Sequence, residues 1–187
     1  MKIERIELHQ LRIPYIYPFE TSFGRESERD LILVSVSADG LTGWGECVSG
    51  SRPWYSSETV GTSWHVLKDF LIPQLLERDI ECVADVLDCF KWIRGHAMAR
   101  ACLENAIWDL LARARGMQLV QLLNGQRDRV PVGVSVGIEP TLDKLLERVA
   151  LHVDEGYARV KLKIKPEWDV AVVSAVRERW PDMLLQV

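Results

Sequence analysis

The order of hydrophobic periods after Asp128 restricts the fold of this chain more than any other feature. Val132-Gly133-Val134-Ser135-Val136-Gly137 is a short apolar run of the kind that forms a buried strand. Pro140-Thr141 then opens a segment in which Leu142, Leu145, Leu146, Val149 and Val153 recur at helical spacing, closed by Gly156. Residues 157–164 return to a strand pattern, Trp168 to about Arg179 to a helical one, and Met183 to Val187 to a third apolar strand. Strand, helix, strand, helix, strand at this spacing predicts a parallel sheet joined by right-handed crossovers. A closed eight-stranded barrel takes ~250 residues, so residues 128–187 are either a small open sheet or the front of something longer. Leu184-Leu185-Gln186-Val187 reads as the middle of a strand rather than an exposed tail, and the expectation is a sheet truncated after its third strand.

Residues 1–127 follow a different grammar. Residues 2–13 and Asp30 to Ala38 have strand character, Asp39-Gly40 carries the chemistry of a tight hairpin turn, and Leu41 to Glu46 returns as a third strand. An antiparallel meander is expected, with Pro18 to Gly24 as a loop that presents Phe19 and Phe23. From Ser56 the period becomes helical through Val66, Leu67, Phe70, Leu71, Leu75 and Leu76, and Pro73 should kink or divide that helix. A second helix is predicted over about 97–115. Its apolar stripe is Met98, Ala101, Cys102, Leu103, Ala106, Ile107, Leu110, Leu111 and Ala114, and Gly116 closes it. The boundary between the α+β unit and the β/α unit is placed at 127/128.

Composition narrows the functional classes. The chain has 187 residues, 48% of them hydrophobic, with net charge −4, and its apolar runs fall short of the roughly 20 residues of a membrane helix. The acidic balance offers no field for a phosphate backbone, so neither nucleic acid nor membrane is an expected partner. Cys47, Cys82, Cys89 and Cys102 form no C-x-x-C pair and are expected to be buried free thiols. The N-terminal residues mix both signs of charge where a signal peptide needs an apolar stretch, which points to a cytoplasmic home. His9, His65, His96 and His152 are scattered and expected to be structural. Glu104 and Asp109 fall on the polar edge of the 97–115 helix, where solvation or an ion pair suffices.

Chemistry enters with Arg159-Val160-Lys161-Leu162-Lys163-Ile164-Lys165. Strand alternation sends Val160, Leu162 and Ile164 to one face and Lys161 and Lys163 to the other. If the apolar face meets the helices of a barrel, two ammonium groups stand together inside. Two like charges in a partly desolvated place disfavour full protonation, the condition in which a lysine serves as a general base. The same spacing also describes a strand with a solvated lysine face.

The run Gly133 to Gly137, then Asp154-Glu155-Gly156-Tyr157, then Lys161-Leu162-Lys163, resembles the enolase superfamily. Within its muconate-lactonizing group the likeness is nearest to the o-succinylbenzoate synthase/N-acylamino acid racemase family. Pro18-Phe19 with Thr21-Ser22-Phe23-Gly24, Gly43-Trp44-Gly45-Glu46-Cys47, Tyr55-Ser56-Ser57-Glu58 and Trp168-Asp169-Val170 support it across the whole chain. The resemblance implies an α+β capping domain followed by the first part of a (β/α) TIM-type barrel. It implies removal of the proton α to a carboxylate, with a divalent metal, usually Mg²⁺, holding the enediolate. Lys163 matches the catalytic base, and Lys161 the partner that contacts the carboxylate. Phe19, Phe23 and Tyr55 match loops that cover the apolar part of a small-molecule carboxylate substrate, and Ser135, at the end of the first barrel strand, is expected either as a further substrate contact or as a packing residue. The expected reaction of an intact protein is dehydration to o-succinylbenzoate in menaquinone synthesis, with N-acylamino acid racemisation beside it. A dipeptide epimerase or muconate cycloisomerase, or a non-catalytic oligomerising module, is the alternative. Metal ligands are expected beyond Val187, so the 187 residues alone should bind no catalytic Mg²⁺ and be inactive. A homo-oligomer, or pairing with a missing C-terminal half, is expected. Glu167 stands where relatives commonly have Gly after Pro166, a departure expected to affect only the turn into the next helix.

Overall fold

The computed structural model describes residues 1–187 and divides into two compact units. The first comprises Met1–Ile13 and Arg29–Gln126; the second comprises Pro14–Glu28 and Arg127–Val187.

The meander is present. Strands β1 (Arg5–Thr21), β2 (Gly24–Ala38) and β3 (Leu41–Cys47) form one sheet in that order, and β2 and β3 pair antiparallel from Ile32↔Cys47 to Ala38↔Leu41. Asp39 and Gly40 both take positive φ (51° and 74°), the pair of left-handed residues that a two-residue turn needs to match strand twist. Pro18 to Thr21, expected in a loop, continue β1 instead, and the connection shrinks to Ser22-Phe23. Hairpin pairing with β2 across this two-residue connection overrides the turn propensity of Pro18 at that place.

Ile32, Val34, Val36 and Ala38 of β2 point into the core of the first unit, as period-two alternation requires. They meet Leu67, Leu71, Leu75, Leu103, Ile107 and Leu110 from the helices. The first helical run is α1 (Val60–Val66), a π-helical turn (Leu67–Leu71) and α2 (Ile72–Leu75) in succession. The Ile72 N–H reaches back to the Leu67 carbonyl, five residues away, just before Pro73. Proline lacks an N–H and its ring crowds the carbonyl four residues back, so the wider turn is what lets the run pass Pro73. Phe70 and Leu76 are exposed rather than on the apolar stripe, because the extra residue in the wide turn carries them off the buried face. Phe70 stacks edge-on against His65 at the surface.

Helix α3 (Val83–Phe90), which sequence patterning did not single out, buries Val83, Val86, Cys89 and Phe90. Asp85 caps its start by accepting the backbone N–H groups of Cys82 (3.0 Å) and Glu81 (2.9 Å). Helix α4 (Ala97–Ala114) ends at Gly116, whose φ of +61° is the left-handed stop expected there. Its buried stripe is Ala99, Cys102, Leu103, Ala106, Ile107, Leu110 and Leu111; Ala101 and Ala114 face solvent. Strand β3 lies directly on α4. A Cβ on Gly43 would fall on the Ala106 carbonyl oxygen, and one on Gly45 on the Cys102 carbonyl oxygen. Asp109 makes the ion pair expected of it, with Arg113 at 3.0 Å, and also fixes the same contact by accepting the Trp44 N–H at 2.9 Å. Cys47, Cys89 and Cys102 are buried free thiols, but Cys82, at the start of α3, is exposed. A short helix, α5 (Leu119–Leu122), closes the unit.

In the second unit β4 (Gly133–Val136), β5 (Arg159–Leu162) and β6 (Leu184–Gln186) form a parallel sheet in chain order, with α6 (Leu142–Asp154) and α7 (Val170–Arg179) in the connections. Thr141 caps α6 by accepting the Lys144 N–H, and Gly156 follows it at φ +86°. Val136, Val160 and Leu162 of the strands pack against Leu145, Val149, Val172 and Val176 of the helices. That packing settles the strand's orientation: the apolar face of β5 meets the helices and the lysine face does not. No helix in the chain is long and apolar enough to cross a membrane.

Candidate active site

The lysine face belongs wholly to the second unit. Lys161 stands in register with Ser135 on β4 and with Gln186 on β6, so three polar side chains share one row across the sheet. Ser135 is exposed and Lys161 half-buried, while their neighbours Val136, Val160 and Leu162 are buried on the opposite face. Lys163 follows immediately after β5, and its backbone N–H donates to the Val136 carbonyl at 2.9 Å, which continues the pairing past the strand end. Lys161 and Lys163 thus emerge from the C-terminal end of a parallel strand, where catalytic groups gather in β/α folds.

The tip of the β1–β2 hairpin comes to this strand end. The Glu20 carbonyl accepts the Ile138 N–H at 2.9 Å, and the Glu20 carboxylate accepts the Lys165 ammonium at 2.9 Å. Gly137 makes the approach possible, because a Cβ there would lie 3.1 Å from the Glu20 nitrogen and 3.4 Å from Cδ2 of Phe19. Phe19 brings its ring centroid to 6.0 Å from the Lys163 ammonium, at the outer reach of a cation–π contact. Beside it the Arg148 guanidinium covers the Tyr17 ring at 3.7 Å and pairs with Glu139 at 3.4 Å.

Of the residues singled out from sequence, the structure brings Lys161, Lys163, Ser135 and Phe19 to one end of one sheet. Phe23 sits in the two-residue turn of the hairpin and is exposed. Tyr55 belongs to the first unit, in the irregular stretch before α1, and is 85% exposed. Glu20 and Lys165 escaped sequence reasoning. Lys165 extends the lysine alternation by one step and was readable on that ground; Glu20 lies 145 residues away and carried no signal. Residues 1–187 contain no group of three or more His, Cys, Asp or Glu side chains placed to hold a metal ion.

A lysine-bearing strand end at the mouth of a parallel β/α sheet, preceded by an α+β unit, defines the class: a capping domain followed by the opening strands of a (β/α) barrel. The chain belongs to the mandelate racemase/muconate lactonizing enzyme family, whose N-terminal domain matches residues 5–124, and so to the enolase superfamily. It is 46% identical over 186 residues to an o-succinylbenzoate synthase of Geobacillus kaustophilus, covering 99% of this chain and 50% of that protein. It is 45% identical to an N-succinylamino acid racemase of an Amycolatopsis species, over 100% of this chain and 51% of the other. A solved enolase-superfamily structure from Listeria innocua aligns with a TM-score of 0.90 at 33% identity, over 99% of this chain and 50% of that one. The N-succinyl Arg/Lys racemase of Bacillus cereus aligns at 0.88 and 27%, over 100% and 52%. The chain spans about half the length of the curated relatives it matches.

Proposed function

We propose that the intact protein removes the proton α to a carboxylate, acting as an o-succinylbenzoate synthase with N-acylamino acid racemase activity beside it. The observation that carries this reading is the emergence of Lys161 and Lys163 together from the C-terminal end of β5, on the face away from the helices and beneath Phe19. Lys163 takes the α-proton and Lys161 contacts the substrate carboxylate. Ser135, in register with Lys161, offers a hydroxyl to the same group, and Phe19 and Phe23, on the hairpin of the same unit, cover the apolar portion. Loss of hydroxide after proton removal gives dehydration; return of a proton to the opposite face gives racemisation. Relatives named for each of these two outcomes support carrying both.

A divalent cation such as Mg²⁺ is part of the proposal and supplies charge stabilisation of the carboxylate when bound. Its ligands are proposed to come from outside residues 1–187. The protein is proposed to be cytoplasmic, to serve menaquinone synthesis, and to assemble with a C-terminal half or with further copies of itself. The test is Lys163→Ala in the full-length protein. Turnover should fall by about 10³-fold or more, with unchanged unfolding temperature, because proton transfer is lost and packing is not. Near-normal turnover would refute Lys163 as the base.

A further inference from the structure

The hairpin tip is fastened to the lysine strand by a contact whose partners lie 145 residues apart, the Glu20–Lys165 ion pair. Its two side chains remain 26% and 42% exposed, so the pair is open to exchange with water. Around it the other groups are already fixed. The Lys163 N–H is held by the Val136 carbonyl. Lys165 exchanges two backbone hydrogen bonds with Trp168, at 3.2 and 2.9 Å. The lysine strand end is therefore rigid by its own backbone, and the element whose position depends on the pair is the hairpin tip that carries Phe19.

We propose that Glu20 and Lys165 act as a latch that keeps Phe19 over the Lys163 ammonium, making them positioning residues for substrate binding. The inference rests on Lys163 being the base of the proposed reaction. Besides the contact of Phe19 with Lys163 itself, three contacts hold the tip: the pair, the Ile138 N–H on the Glu20 carbonyl, and Arg148 over Tyr17. Of these, only the pair joins the tip to the segment just beyond Lys163. When it breaks, the tip loosens while the lysines stay in place. The loss then falls on substrate affinity and not on proton transfer, which separates the latch from a strut needed only for folding.

The experiment uses the full-length protein with N-succinylphenylalanine as probe, and compares Glu20→Gln, Lys165→Ala and the exchanged pair Glu20→Lys/Lys165→Glu. Hydrogen exchange at the Ile138 amide should rise about fivefold in each single variant, the scale of a partly exposed ion pair. KM should rise by a similar factor with kcat within about twofold, and the exchanged pair should restore both. Glu20→Gln keeps the side-chain shape, so a folding defect in Lys165→Ala alone leaves the comparison intact. Unchanged Ile138 exchange in the single variants, a loss confined to kcat, or an exchanged pair no better than the singles would each overturn the latch. Ile138 exchange requires no turnover. Activity surviving in Lys163→Ala would therefore refute the reaction while the latch is still judged by exchange.

Discussion

Glu167 is the residue whose replacement should most plainly stabilise this protein. It occupies the third position of the turn Lys165-Pro166-Glu167-Trp168, closed by the two backbone hydrogen bonds between Lys165 and Trp168, and its φ is +68°. Pro166 suits the second position of a type II turn; the third demands positive φ and favours glycine. An L-residue held in the left-handed region costs roughly 1–2 kcal/mol, because its Cβ crowds the following carbonyl. Glycine removes that crowding but has about 0.4–1 kcal/mol more chain entropy to lose on folding. Glu167 is exposed, so Glu167→Gly sacrifices no packing. The net gain is about 0.5–1 kcal/mol, or about 1–4 °C in melting temperature for a domain of this size. Urea and thermal unfolding of Glu167→Gly, Glu167→Asn and Glu167→Ala should rank glycine highest, asparagine next, and alanine level with glutamate, since alanine keeps the Cβ. Alanine matching glycine, or glycine falling below glutamate, would show that backbone strain is not what the turn carries.

Two further outcomes are expected. Gly45→Ala should destabilise the first unit by more than about 2 kcal/mol in chemical denaturation, because its Cβ would meet the backbone carbonyl of Cys102 and a backbone cannot step aside as a side chain can. Asp85 is held below its ordinary value of 3.8 by the backbone N–H groups of Cys82 and Glu81. The folded pKa being the lower one, its support of the α3 start is complete above 3.8 and is lost as pH falls through the folded value. Hydrogen exchange along Val83–Phe90 should quicken across that acid range and the step should vanish in Asp85→Asn; identical acid profiles would contradict the cap.

How far the chain could be read in advance depended on how local the cause was. The βαβαβ order after Asp128, the Asp39-Gly40 turn and the glycine stops at Gly116 and Gly156 are written in neighbouring residues, and each stands where patterning puts it. Lys161 and Lys163 were legible as a pair sharing one face because alternation in a strand is itself local. That the apolar set of β5 and not the lysine set meets the helices rested on the resemblance until Val160 and Leu162 were seen in the helix-packed core. Where sequence reading failed, a partner in another element decided. Pro18 to Thr21 are strand because β2 pairs with them, Ala99 is buried in place of Ala101 by what surrounds α4, and Glu20 meets Lys165 only after folding.

The π-helical turn at Leu67–Leu71 sets the length of the chain in that region to within one residue. Each residue in an α-helix advances the side chain by ~100°, and the wide turn behaves as a one-residue insertion absorbed without breaking the helix. Deleting a single residue there would return the run to plain α-helical phase. It would also swing everything from Ile72 onward by about a quarter-turn, carrying Leu75 out of the core and setting the Pro73 ring against a carbonyl of the preceding turn. Among chains that share this capping domain, helices that keep a proline at this point should keep the extra residue, and those that lack the residue should lack the proline.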